Sequence, residues 1–85
     1  MENETTDNHG QVEIREEPID LVKVLKLDHQ VSGGGEAKLM IAEGQVRLNG
    51  EVETRKRKKV HHGDVVEYRG RVVRVILSKK DVLPQ

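Results

Sequence analysis

"EAKLMIAEGQVRLNGEVE", residues 36–53, changes its hydrophobic period halfway along, and the fold turns on that change. Before Gly44 the apolar residues Ala37, Met40 and Ile41 recur at helical spacing and predict one buried helix face. Gly44 suits the left-handed residue that ends such a helix. After it the period falls to two, with Val46, Leu48 and Val52 expected to point inward. Asn49-Gly50 sits between two such short runs, and this dipeptide is the strongest short hairpin signal a sequence carries.

Upstream, Leu21, Val24 and Leu25 make another helical stripe, with Lys23 and Lys26 on the other face. A short helix is expected over 19–27, with Pro18 where the helix would begin, because its fixed φ and missing N–H fit there. Ser32 and three glycines separate this helix from the one at 36–43. "QVEI" (11–14) alternates polar and apolar residues and reads as a short edge strand. Downstream, Val65–Tyr68 and Arg71–Leu77 read as two more strands joined at Arg69-Gly70. The expectation is an α+β domain over 11–77, with two short helices on a small, mostly antiparallel sheet of four to five strands. Residues 1–10 read as a disordered acidic leader and 78–85 as a polar tail.

At 85 residues the chain forms one small domain with a modest core. It holds no Cys, no Phe and no Trp, and a single Tyr. Disulfides and thiolate metal sites are therefore excluded. The first residues lack the basic start and apolar stretch of a signal peptide, and the apolar runs are too short to cross a bilayer, so a cytoplasmic location is expected.

Fifteen bases and fifteen acids give no net charge. The balance hides an asymmetry, because residues 1–20 carry seven acids and one base while residues 21–85 carry fourteen bases and eight acids. The body is basic, and a third of the positive charge falls in one unbroken run, Arg55-Lys56-Arg57-Lys58-Lys59. Neither face of such a run can be buried, and its like charges repel. Either it is a solvated edge kept from aggregating by its charge, or it faces an anion.

Ser32–Gly35 at a helix start could accept an anion, or could simply allow a sharp turn. His61-His62 supplies two nitrogens and no third ligand, which does not define a metal site. No nucleophile and base stand at a recognisable catalytic spacing, and Glu36 and Glu43 read as solvated helix charges. The chain is expected to be a non-enzyme without a cofactor.

In order and spacing, Ala37, Ile41, Gly44, Val46-Arg47-Leu48-Asn49-Gly50, Arg55–Lys59 and Gly63-Asp64-Val65-Val66 resemble the S-four RNA-binding domain, also described as the alpha-L motif. The resemblance covers about residues 19–68 and is nearest to small stand-alone bacterial members, which implies binding of structured RNA or ribosomal particles. Family members commonly carry Ser-Arg at the start of the second helix and Arg-Leu-Asp at the first. This chain has Ser32-Gly33 and Pro18-Ile19-Asp20, so it lacks both arginines.

Readers of single-stranded RNA stack bases on aromatic rings, and one tyrosine makes no platform. The expected mode is backbone and shape recognition of structured RNA, with ribosomal RNA a candidate. Lys23, Lys26 and Lys38 on the helices would make the contact, extended by Arg47 and by Arg55, Lys56, Arg57, Lys58 and Lys59. The protein is expected to act as a monomer. The alternatives are a protein-interaction module whose basic run meets an acidic partner, and a DNA-binding helix pair. The second is disfavoured because the 36–43 helix offers only Lys38 and two glutamates outward.

Overall fold

A computed structural model describes residues 9–28 and 30–78. Nine elements follow in order: β1 (His9–Ile14), β2 (Ile19–Asp20), α1 (Leu21–Leu27), α2 (Gly34–Ala42), β3 (Val46–Leu48), β4 (Glu51–Val52), β5 (Lys59–Val60), β6 (Val65–Tyr68) and β7 (Arg71–Leu77). Five strands form one mixed sheet in the order β1-β7-β6-β3-β4, and β2 pairs with β5 in a separate two-stranded ribbon. The α+β expectation holds. Three pairings of the main sheet are antiparallel, and β1 joins the edge parallel to β7, Val12 opposite Val75. Strand β1 starts at His9, two residues before the expected Gln11. Most of the expected leader and tail, residues 1–8 and 79–85, lies outside the described residues.

One aliphatic core holds the layers together. Val12, Ile14, Val46, Val66, Val73 and Val75 from the sheet meet Leu21, Val24, Leu25, Ala37, Met40 and Ile41 from the helices. The period change at Gly44 is realised as expected. Helix α2 ends in a Schellman motif, with the Gln45 N–H donating to the Met40 carbonyl at 3.0 Å and the Gly44 N–H to Ile41 at 3.1 Å. Gly44 takes φ +75° to close it.

The hairpin turns also form. Asn49 and Gly50 both have positive φ, as do Arg69 and Gly70, the pattern of tight two-residue turns. Such a turn pairs Leu48 with Glu51 and Arg47 with Val52. Paired residues share a face, so Val52 stands with Arg47 away from the core and is 54% exposed. The inward assignment of Val52 is thereby corrected.

The start of α1 differs from the sequence reading as well. The helix begins at Leu21, because Ile19 and Asp20 are pulled into strand pairing with Val60 and Lys59. Pro18 therefore precedes a strand, and the Glu17–Pro18 peptide bond is cis.

Two polar clusters pin opposite ends of the sheet. At one end Asn49 donates from Nδ2 to Asp64 Oδ1 (3.1 Å) and accepts at Oδ1 from the Val65 N–H (2.9 Å). Asp64 Oδ2 accepts from the His61 N–H at 2.8 Å. At the other end Asp28, 4% exposed, accepts from Arg71 through both oxygens, at 2.8 and 3.1 Å, and from the Tyr68 hydroxyl. Burial, then the hydrogen bond to Asp28, pushes the Tyr68 phenol well above its ordinary range.

A candidate nucleic-acid interface

The basic run is a built loop, tied by its main chain to the first turn of α1. Strand β4 leads into it, and the Lys58 N–H donates to the Arg55 carbonyl at 3.1 Å, closing a turn. The Leu21 N–H donates to the Lys58 carbonyl at 2.9 Å and the Val22 N–H to the Lys56 carbonyl at 3.0 Å. The opening N–H groups of a helix have no partner inside it. A side chain usually caps them, but Asp20 at the N-cap makes no such bond. The carbonyls of two lysines do that work, and their side chains are left for other contacts.

Two of the five cations are partly neutralised. Arg55 pairs with Glu53 at 2.9 Å, and that guanidinium together with the Arg55 N–H holds the Glu53 carboxyl down to about 2. Lys59 pairs with Asp20 at 2.7 Å. Lys59 lowers the Asp20 carboxyl chiefly through this hydrogen bond, and the fields of Lys23 and Arg57 act in the same direction. Asp20 thus lies within the field of a cation from α1 and two from the loop. Lys56, Arg57 and Lys58 form no ion pair among the described residues. The five loop residues line one open hollow of about 550 Å³.

The other expected contact residues are placed differently. Lys26 is exposed near the end of α1, and its stem lies against the start of α2, with Cδ 3.5 Å from where a Cβ on Gly34 would stand. Lys38 is exposed on α2. Arg47 is exposed between inward-facing Val46 and Leu48, so it projects from the sheet face opposite the helices, in a cross-strand row with Glu67 and Val72. The structure groups Lys23 with Arg55–Lys59 and does not bring Arg47 to them.

The glycine turn is occupied from within. Glu36 Oε1 accepts from the Ser32 N–H at 2.7 Å and from the Ser32 hydroxyl at 2.8 Å, while Oε2 pairs with Arg69 from the β6–β7 turn. The Ser32 N–H, then Arg69, then the Ser32 hydroxyl hold the Glu36 carboxyl down to about 2. Glu36 therefore ties the start of α2 to Ser32 before it and to the β6–β7 turn, and is not the solvated charge its position suggested. His62 Nδ1 accepts from the Leu77 N–H at 2.9 Å, which joins the loop after β5 to the last strand. No group of His, Asp and Glu suited to a metal ion forms among the described residues, and no helix there is long and apolar enough to cross a membrane.

The S4 domain model matches residues 12–76. YbcJ of Escherichia coli (strain K12), which bears the name "Putative RNA-binding protein", is 45% identical over 58 residues, covering 68% of this chain and 83% of YbcJ. RlbA of Bacillus subtilis (strain 168), named "Probable ribosome maturation protein", is 39% identical over 59 residues, covering 69% of this chain and 83% of RlbA. The solution structure of E. coli YbcJ, described as revealing an alfaL motif involved in RNA-binding, superposes with a TM-score of 0.67. It is 36% identical and covers 89% of this chain and 96% of YbcJ. The chain belongs to the S4 domain family and carries the alpha-L motif.

Proposed function

We propose that this protein is a non-catalytic, cytoplasmic RNA-binding module, working as a monomer on the backbone and shape of structured RNA, with ribosomal RNA the leading candidate. The unit that binds is residues 11–77, flanked by an acidic leader and a polar tail. The observation that carries this reading is the pair of main-chain bonds from Leu21 and Val22 to the carbonyls of Lys58 and Lys56. They hold a five-cation turn against a lysine-bearing helix, and three of those cations form no ion pair among the described residues. Phosphates supply the missing charge. Tyr68, 2% exposed and bonded to Asp28, offers no face for a base to stack on. The names of YbcJ and RlbA point the same way.

Lys23 and Arg55–Lys59 form the centre of the proposed surface. Lys26 and Lys38 extend it across the helices, and Arg47 serves any contact made by the far face of the sheet. Fluorescence anisotropy with a folded ribosomal RNA fragment tests the proposal, comparing the wild type with K56Q/R57Q/K58Q. Binding that weakens at least tenfold in the variant supports it. RNA binding absent in both proteins, alongside capture of an acidic protein partner, would replace it with the protein-interaction reading.

A further inference from the structure

Resting on that proposed function, we infer that Glu53 and Asp20 limit how many phosphates the basic loop takes, by holding its two end cations back from the ligand. The run carries a carboxylate at each end. Arg55, its first cation, pairs with Glu53, and Lys59, its last, pairs with Asp20. Between them Lys56, Arg57 and Lys58 form no ion pair among the described residues.

At the first end the pair occupies a group that phosphate would use. Arg55 donates from Nε to Glu53 Oε2 at 2.9 Å and from Nη2 to Oε1 at 3.3 Å. Such an edge of a guanidinium is the fork that grips carboxylate or phosphate through two parallel bonds. The Arg55 N–H also donates to Glu53 Oε2, at 3.0 Å, so main chain and side chain together fix the carboxylate. At the other end Asp20 holds the N-cap position of α1 without capping it, and its Oδ1 accepts from Lys59 Nζ at 2.7 Å. This carboxylate serves the loop in place of the helix.

The side chains of Glu53 and Asp20 are 13% and 20% exposed, against 70% and 59% for their partners. The acids are recessed beside outward-reaching cations, and salt screens partly buried charges less than fully exposed ones. An anion laid over either end of the run meets a cation already paired and a carboxylate that repels it. Over the centre it meets three cations that no carboxylate holds among the described residues. The loop therefore takes phosphate through Lys56, Arg57 and Lys58, and its affinity for polyanions at large is held down.

The test titrates wild type, E53Q, D20N, R55Q and R55Q/E53Q by anisotropy across salt. The probes are a folded ribosomal RNA fragment and fluorescent heparin, a sulfated polyanion with the charge of RNA and not its shape. E53Q and D20N keep an oxygen for the same donors, and melting temperatures check that every variant is folded. On RNA, E53Q and D20N each steepen the slope of log K against log salt by about 0.7–0.9, the value of one further phosphate contact. Each also tightens heparin binding, by about threefold or more at low salt. R55Q alone keeps the wild-type slope, and R55Q/E53Q cancels the gain of E53Q.

An unchanged or shallower slope in either E53Q or D20N overturns the inference and leaves RNA binding standing. So does the loss of a full contact in R55Q, which would put Arg55 on phosphate already in the wild type. Wild type that fails to bind RNA, with heparin binding tightened by both substitutions, removes the RNA reading and leaves the charge limit standing for another polyanion.

Discussion

The carbonyl of Lys58 accepts the N–H of Leu21 at 2.9 Å, so the most basic segment of the chain also caps the first turn of α1. Charge and architecture are thereby divided between side chain and main chain of the same residues.

That division predicts that the charges can be removed without loss of fold. K56Q/R57Q/K58Q keeps its helix cap and sheds like-charge repulsion. At low ionic strength its melting temperature equals or slightly exceeds that of wild type. The difference shrinks as salt screens the charges, with a Debye length of about 10 Å at 0.1 M. Calorimetry at 20 and 200 mM salt reads this directly. A large fall in melting temperature would mean that the side chains hold the loop.

Asn49 predicts a different separation. Its φ of 52° suits glycine at least as well as asparagine, so Asn49→Gly preserves the turn. The substitution still deletes the acceptor for the Val65 N–H and the donor to Asp64. It should cost about 1–2 kcal/mol in urea unfolding. RNA affinity should stay within twofold, because Asn49 acts on the hairpin and not on the ligand.

The cluster around Asp28 should be graded. Tyr68→Phe removes one donor to a carboxylate that keeps both Arg71 bonds, at a cost of about 1–2 kcal/mol. Asp28→Ala leaves Arg71 and the Tyr68 hydroxyl without their carboxylate, at a cost of about 3–5 kcal/mol. Against the roughly 5 kcal/mol expected at the lower end for a domain this small, the second variant approaches unfolding at room temperature. Equal effects of the two would show that Asp28 is not the hub.

Acid should loosen the α2 start and the Glu53–Arg55 pair over the same range. The Glu36 carboxyl is held down to about 2 from an ordinary 4.5 by Ser32 and Arg69. Its stabilisation is full above the unfolded value and is lost as pH falls from about 4.5 through about 2. Glu53 behaves alike through Arg55. Glu36→Gln should flatten the fall in stability across this window and leave the curve above pH 5 parallel to wild type. Melting temperatures between pH 2 and 7 check it.

Much of this was legible in the sequence because it is local. The period change at Gly44, the Schellman end of α2 and the Asn49-Gly50 and Arg69-Gly70 turns each follow from a few adjacent residues. The inward assignment of Val52 failed against a rule that was itself local, since a two-residue turn forces Val52 to share a face with Arg47 and hence to point outward. The placement of Arg47 opposite the helices follows from the same alternation.

What the sequence hid depends on distant partners. Ile19–Asp20 carries no strand signal, and only pairing with Lys59–Val60 makes it a strand and delays α1 to Leu21. Glu36 met Arg69 from 33 positions away, and Asp28 met Tyr68 and Arg71 across 40 and 43. The loop's main-chain hold on α1 has no sequence signal at all, because it uses carbonyls that every residue possesses.

The most direct test of the central claim is amide NMR mapping on the full chain, titrated with a folded ribosomal RNA fragment. The account predicts shifts concentrated at residues 21–26 and 55–60, including the Leu21 and Val22 amides that bond to the loop, with the sheet face around Arg47, Glu67 and Val72 quiet. Shifts centred on that far face, with 55–60 unmoved, would contradict it.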